Sequence, residues 1–136
     1  MNKLDISSNR HSVYSLKYHL VVVTKYRHKC INDEIYSFIN NKTLELFEKW
    51  GCSLIEMNYD KDHIHILFEA PPQVQLSKII NSYKTVTSRL VKKHFQEHLK
   101  KFYWKDYFWS RSYLILSSGG APIEMIKKYI EDQGKE

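Results

Sequence analysis

Two histidines separated by a single residue, His63 and His65, are the side chains of this sequence best suited to chemistry. In an extended strand, side chains alternate between faces, so both imidazoles would point one way while Ile64 and Ile66 point the other. Neutral imidazole is a common metal ligand, and two on one strand face can hold one divalent ion. By spacing alone, the polar side of an amphipathic strand explains the pair about equally well.

A second candidate pair, Tyr129 and Gln133, lies near the end of the sequence. A glycine-containing joint is predicted at about residues 117–121, and Pro122 suits the first turn of a helix predicted over residues 122–133. Residues four apart share one helix face, so we expect the phenol and the amide about one turn from each other. Singly, each is more typical of ordinary packing or solvation; only the set of four favours a reactive site.

The elements that must position these side chains follow from hydrophobic periodicity. Strands are predicted over residues 16–24, 52–59, the histidine segment and 109–117, and helices over residues 33–50 and 76–95. The order β-α-β-β-α-β predicts an α+β, ferredoxin-like antiparallel sheet with both helices on one face, related to the RNA-recognition fold. We interpret residues 1–136 as one domain, in which the other sheet face is free for a ligand or for the terminal helix.

The charge of the chain points to a polyanionic partner. It has 21 Lys and Arg against 15 Asp and Glu, a formal net charge of +6, and 14% aromatic residues. Cations with abundant rings suit single-stranded nucleic acid, whose unpaired bases can stack, although most rings in a domain of this size pack in the core.

Cysteine usage and hydropathy limit the compartment. Cys30 and Cys52 form neither a CxxC pair nor a multi-cysteine framework, so we interpret them as reduced thiols. The first 15 residues lack the apolar segment of a signal peptide, and no stretch is long and apolar enough to cross a membrane. A cytoplasmic protein is therefore expected.

In order and spacing, these parts resemble the single-tyrosine HUH transposases, the transposase A enzymes of the smallest bacterial insertion sequences, and relatives that serve palindromic repeats. "HUH" denotes histidine, a bulky apolar residue and histidine, which His63, Ile64 and His65 match. Further family-like segments lie at residues 18–21, 25–27, 109–113 and 130–133. The resemblance covers about residues 14–133; His19 and His28 lie outside the motif and are interpreted as non-ligands.

The resemblance implies that Tyr129 attacks a DNA phosphodiester, bonds to the 5′ phosphate and releases a 3′ hydroxyl. The phosphotyrosine retains the energy of the broken bond, so rejoining needs no ATP. A phenol, with a reference pKa of about 10, is protonated near pH 7. It therefore needs a base or cationic surroundings, and Lys127 and Lys128 are candidates for the latter.

The resemblance also implies one Mg²⁺ or Mn²⁺ per active site, held by His63, His65 and Gln133, which would polarise the scissile phosphate. Mg²⁺ prefers oxygen ligands, so the imidazole pair favours Mn²⁺ by comparison, and the sequence does not decide between the ions.

The implied partners are single-stranded DNA carrying hairpins at the ends of a bacterial or archaeal element, and a second copy of the chain. In such a homodimer the terminal helix crosses over, giving composite active sites in trans, although a helix folding back in cis would use the same residues. Candidate DNA contacts are Lys25, Arg27, Lys29, Lys84 and Arg89.

Three alternatives remain. A palindrome-processing relative would share the chemistry and differ only in the DNA around its coding region. A non-catalytic single-stranded nucleic-acid-binding domain would share the sheet, although the aromatic, glycine-rich signature of the RNA-recognition module is absent from the histidine strand. A simple metal hydrolase would leave no protein-bound nucleotide.

Overall fold

The structure, a computed structural model, describes residues 7–8, 13–118 and 123–133. Its strands are β1 (Ser7–Ser8), β2 (Val13–Tyr14), β3 (Lys17–Val23), β4 (Ser53–Asp60), β5 (His63–Glu69) and β6 (Leu114–Ser117). Its α-helices are α1 (Asp33–Lys49), α2 (Leu76–His94), α3 (Gln96–Leu99) and α4 (Ile123–Gln133).

Four strands form one antiparallel sheet in the order β4-β5-β3-β6, and β1 pairs with β2 separately. This is the α+β arrangement that the sequence predicts. The apolar run from Leu20 to Val23 occupies the interior of the sheet because β3 is paired on both sides and these residues are wholly buried.

The two long helices cover one face of the sheet. Alternate residues of β5, such as Ile66 and Phe68, lie in a single buried cluster with residues of α1 and α2. Phe47 of α1 meets Phe68 edge-on, with ring centroids 5.0 Å apart. Tyr83 of α2 is fully buried, and its hydroxyl forms a 2.8 Å hydrogen bond with Thr43 of α1. The one polar atom of this buried side chain therefore has a hydrogen-bond partner.

The ends of α1 show how the sequence sets an element boundary. The Asn32 side chain accepts a 2.8 Å hydrogen bond from the Ile35 amide at the start of the helix. Gly51, with φ of +75°, ends the helix in a conformation that residues with a Cβ rarely adopt. The chain can therefore turn at once into β4.

The last strand is shorter than predicted. A strand is predicted over residues 109–117, but β6 begins only at Leu114, and Trp109 makes an isolated bridge with Thr24. The Lys84 ammonium donates to the backbone carbonyls of residues 110, 111 and 112 at 2.7–2.9 Å. Carbonyls held by this cation are not paired in the ladder, which gives a physical reason for the late start of β6.

The terminal helix α4 matches the predicted helix within one residue. The glycine joint predicted at residues 117–121 lies largely outside the described residues, which stop at 118 and resume at 123. Within the part of the chain that the structure describes, no helix is both long and apolar enough to span a membrane.

Candidate active site

The paired histidines lie on the sheet face opposite α1 and α2. In the register of the sheet, His63 pairs with Val23 and His65 with Val21. Both valines are 0% exposed although they lie outside the helix-packed core cluster. Since α4 packs against β3, we conclude that α4 covers this face of β3 beside the histidines.

A buried carboxylate fixes the first imidazole. His63 Nδ1 lies 2.8 Å from Asp62 Oδ1, and Arg27 Nε lies 3.1 Å from the other carboxylate oxygen. Burial acts to raise the pKa of Asp62, but the hydrogen bond and charge of His63, together with the charge of Arg27, outweigh it and lower that pKa. An ionised carboxylate accepts the Nδ1 proton, so in the neutral imidazole the other nitrogen, Nε2 of His63, is available as a ligand.

The backbone that presents Arg27 is strained. Tyr26 and Arg27 have φ of 59° and 54°, in the left-handed region that non-glycine residues seldom occupy. Flanking hydrogen bonds, from the Lys25 amide to the Phe108 carbonyl at 2.8 Å and from the Arg27 amide to the Thr24 carbonyl at 2.9 Å, hold the turn. Residues forced into such angles cluster at functional sites, and this turn carries the partner of Asp62.

The second imidazole has a histidine neighbour of its own. His19 Nδ1 lies 2.7 Å from His65 Nε2, and the rings stack with centroids 4.9 Å apart and an interplanar angle of 7°. Burial lowers the pKa of His65, and the nearby His19 lowers it further, so the ring is neutral at pH 7. Motif spacing offers no signal for this contact. It depends on how β3 pairs with β5, where His19 lies opposite Leu67, two residues beyond His65 on the same face of the strand.

His28, the other histidine outside the motif, lies elsewhere. Its Nδ1 is 3.0 Å from the Phe102 carbonyl and its ring stacks on Tyr103. These contacts pack the segment that follows α3.

Two serines join the tyrosine to the glutamine. Ser112 Oγ donates to Gln133 Oε1 at 2.7 Å, and Ser110 Oγ donates to the same oxygen at 3.3 Å. Ser112 Oγ also lies 2.8 Å from the Tyr129 hydroxyl. Because the single Ser112 proton is given to the amide, Tyr129 must be the donor in the second contact. Sequence reasoning did not single out either serine, although both fall in a family-like segment.

The serines also place α4 relative to the histidine strand. The Ser110 amide donates to the Val23 carbonyl at 2.7 Å, and Val23 is the residue paired with His63. Tyr129 and Gln133 are therefore docked on one side of the end of β3, and His63 lies on its other side. The structure brings His63 close to His65 and Tyr129 close to Gln133. Strand β3 lies between these two pairs.

The candidate DNA contacts have different surroundings. Lys29 and Arg89 are exposed. Arg27 is engaged with Asp62, and Lys84 with the three carbonyls before β6. The Lys25 ammonium lies 5.1 Å from the centroid of the Tyr26 ring.

A four-stranded antiparallel sheet backed by two helices, with a further helix after the last strand, is the architecture of a class of DNA transposases. The chain belongs to the IS200-like transposase family, whose model matches residues 12–133.

Relatives of known type agree with this membership. The chain is 30% identical over 130 residues to the ISDra2 transposase TnpA of Deinococcus radiodurans, covering 96% of this chain and 92% of that one. It is also 30% identical over 132 residues to the transposase for insertion sequence element IS200 of Salmonella typhimurium, covering 97% and 86%.

Two solved structures share the fold. A Deinococcus radiodurans R1 protein assigned as a transposase superposes with a TM-score of 0.84 at 30% identity, covering 93% of this chain and 97% of that one. A REP-associated tyrosine transposase bound to a REP hairpin superposes with a TM-score of 0.59, covering 92% and 68%. At 8% identity, the second comparison concerns the fold alone.

Proposed function

We propose that this transposase cleaves and rejoins single-stranded DNA at the ends of an insertion element, through a covalent bond between DNA and Tyr129 and with the help of a divalent metal ion. The observation that carries the proposal is the docking of Tyr129 and Gln133, through Ser112 and Ser110, beside the strand that pairs with His63. Membership in a transposase family supports DNA as the substrate.

The reaction assigned to Tyr129 is a phosphoryl transfer from the 3′ oxygen of DNA to the phenolic oxygen. The phenolic oxygen attacks phosphorus, the bond from phosphorus to the 3′ oxygen breaks, and that oxygen takes up a proton. The tyrosine must lose its own proton, and in the docked state its hydroxyl points that proton at Ser112 Oγ. Lys127 and Lys128, both exposed on α4, add positive charge that favours the phenolate. Attack by another 3′ hydroxyl reverses the step and needs no ATP.

The donor set fits one Mg²⁺ or Mn²⁺. His63 offers Nε2, the neutral His65 offers a ring nitrogen, and Gln133 offers an amide oxygen that already accepts two hydrogen bonds. No cluster of three or more His, Cys, Asp or Glu suited to a metal occurs among the described residues, so Gln133, DNA or water would complete the ligand set. When bound by these residues, the ion would supply Lewis acidity toward the scissile phosphate.

Two ligand atoms would have to exchange partners on metal binding. Gln133 Oε1 would give up the Ser112 and Ser110 hydroxyls. His65 Nε2 would give up His19, unless His65 binds through Nδ1. This exchange is consistent with a site that is completed only when DNA and metal are both bound.

We extend the proposal to a homodimer with composite active sites. In one chain α4 packs against its own β3. If α4 instead lay on the β3 of a second copy, its contacts with the serines of its own chain would be lost, and the tyrosine would serve the histidines of the other chain. Mixing a His63→Ala chain with a Tyr129→Phe chain should then restore one working site per mixed dimer. Verified mixed dimers without restored cleavage would place the helix in cis.

The direct test is a cleavage assay on hairpin-bearing single-stranded DNA with Mg²⁺ or Mn²⁺. The protein should become covalently attached to the 5′ phosphate of one fragment, and Tyr129→Phe should abolish the attachment because the attacking oxygen is gone. Tyr113→Phe, which also removes one phenolic oxygen near β6, is the matched control and should form the adduct normally. Cleavage products without attached protein would identify a metal hydrolase, and binding without cleavage would identify a nucleic-acid-binding domain.

The remaining alternative, a palindrome-processing relative, shares every step above. Inspection of the DNA flanking the coding region for subterminal palindromes bounding an element separates it from a transposase of a mobile element.

A further inference from the structure

A second site candidate lies at the C-terminal end of α2, where α3 and the segment that follows it line a cavity that neither His63 nor His65 borders. There the chain encloses an open cavity of about 210 Å³ with cationic and aromatic walls. The lining residues used below are Lys92, Lys100, Tyr103, Trp104, Lys105 and Tyr107. We call this cavity the Trp104 pocket.

Trp104 is the most exposed large apolar side chain among the described residues, at 82%. The Lys105 ammonium lies 4.6 Å from the centroid of its ring. Tyr103 and Tyr107 stand edge-to-face beside it in the wall, with centroids 6.0 Å apart. An indole left in water beside packed rings presents a flat surface on which another planar group can stack.

The charge around the pocket suits a polyanion. Three lysines line it, against a single acidic side chain, Asp106, which pairs with Lys92 at 3.3 Å. Lys100 pairs with Glu97 at 3.1 Å across the exposed surface, where such pairs are weak. A phosphate group can therefore displace Glu97 from Lys100 and can bind the Lys105 ammonium beside the Trp104 ring.

Aromatic and cationic side chains connect this pocket to the candidate active site. Tyr107 meets Tyr26 edge-on, with centroids 5.9 Å apart. The Lys25 ammonium lies 5.1 Å from the centroid of one of these rings and 5.5 Å from that of the other. Arg27, next along the strained turn, pairs with Asp62 beside His63. These contacts form a row of aromatic and cationic side chains from the pocket to the residues beside His63.

We infer that the Trp104 pocket holds an unpaired base of the single-stranded DNA, stacked on Trp104, with neighbouring phosphates on Lys100 and Lys105. The inference depends on the proposed function, because it assigns a base-binding subsite to the same substrate. Stacking with charge neutralisation predicts tolerance of base identity and strong dependence on salt.

The test measures binding of an oligothymidylate of about 12 nucleotides to the full chain by fluorescence polarisation at fixed salt. Trp104→Ala should lower the affinity about 5- to 150-fold, and Trp104→Phe, which keeps a ring, should recover most of the loss. The control is Leu44→Ala, which removes an exposed apolar side chain from α1 and should leave binding unchanged. Lys105→Gln should reduce the slope of log affinity against log salt by about 0.7, and Lys49→Gln, on the exposed end of α1, should not.

The adduct assay on saturating hairpin DNA separates the possible failures. If Trp104→Ala forms the Tyr129 adduct normally and binds oligothymidylate as the unaltered chain does, the pocket is not a base subsite and the proposed function stands. If Trp104→Ala changes the sedimenting mass and leaves DNA affinity unchanged, the pocket is a protein contact and the inference is wrong. If the unaltered chain neither binds the oligonucleotide nor forms the adduct, both proposals fail together.

Discussion

The two faces of β5 differ in burial and in residue type. Ile64, Ile66 and Phe68 are wholly buried under α1 and α2, whereas His63 and His65 are only partly buried on the opposite face. One backbone, paired on both sides, fixes both sets. The packing of the core on one face therefore positions the imidazoles on the other, although the imidazoles lie outside that core.

The comparison extends to how each face satisfies its polar groups. On the helix face the Tyr83 hydroxyl is paired with Thr43 and burial raises its pKa, so it is inert. On the other face, partly buried polar atoms pair with one another, such as Ser112 with Gln133 and His19 with His65. The helix face of the sheet therefore carries the packed core, and the opposite face carries the polar groups of the candidate active site.

The largest expected effect is the loss of cleavage in His63→Ala. Removing one proposed ligand should abolish adduct formation, while the melting temperature and hairpin affinity stay near those of the unaltered chain, because this side chain packs in no core cluster. Adduct yield, thermal unfolding and hairpin binding measure the three quantities. Strong loss of binding with cleavage per bound complex unchanged would contradict the metal-ligand assignment and make His63 a DNA contact.

The next effect is on stability and concerns the other face. Ile66→Ala should lower the free energy of unfolding by about 2–5 kcal/mol, because it opens a cavity in a packed core. Denaturant unfolding measures the loss. Adduct formation per folded molecule should be retained at temperatures where the variant is folded. Ile55→Ala, which truncates an isoleucine of β4 that is 48% exposed, is the matched control and should change stability little. A cleavage defect in folded Ile66→Ala as deep as that of His63→Ala would mean that the two faces are not separable.

Sequence periodicity predicts the four main strands and the three longer helices because each of these elements has its own local signal. The helix predicted over residues 33–50 is observed as Asp33–Lys49, and the helix predicted over residues 76–95 as Leu76–His94, so both agree within one residue at each end. The short helix α3 and the late start of β6 were missed. Both depend on long-range contacts, such as that of Lys84 with the carbonyls of residues 110–112, which no local pattern encodes.

The candidate site divides in the same way. Alternation along β5 predicts that His63 and His65 share a face, and helical spacing predicts that Tyr129 and Gln133 adjoin. The groups that hold them, Asp62 aside, come from distant parts of the chain. The contact of His19 with His65 requires the register of β3 against β5, and that of Ser112 with Tyr129 requires the chain path before β6.

The smallest expected effect tests whether the position of His63 depends on its contact with Asp62. Asp62→Asn keeps the size of the side chain but removes the charge that holds His63 and Arg27. Replacing such a partner typically weakens metal binding about 10- to 100-fold, so Mn²⁺ affinity, measured by titration calorimetry with the full chain, should fall within that range. Asp60→Asn is the matched control: Asp60 ends β4 just before the same turn, is exposed, and accepts a hydrogen bond from the adjacent Lys61 amide.

The outcome for Asp62 also bears on the strained turn. If Asp62→Asn weakens Mn²⁺ binding while Asp60→Asn does not, and Arg27→Lys shows an intermediate loss, the left-handed backbone at Arg27 serves to hold the carboxylate that orients His63. Equal Mn²⁺ affinity in all three variants would mean that register alone orients His63. The difference between the faces would then be one of exposure only, and the turn would have to be explained by the path from Tyr26 to the Trp104 pocket.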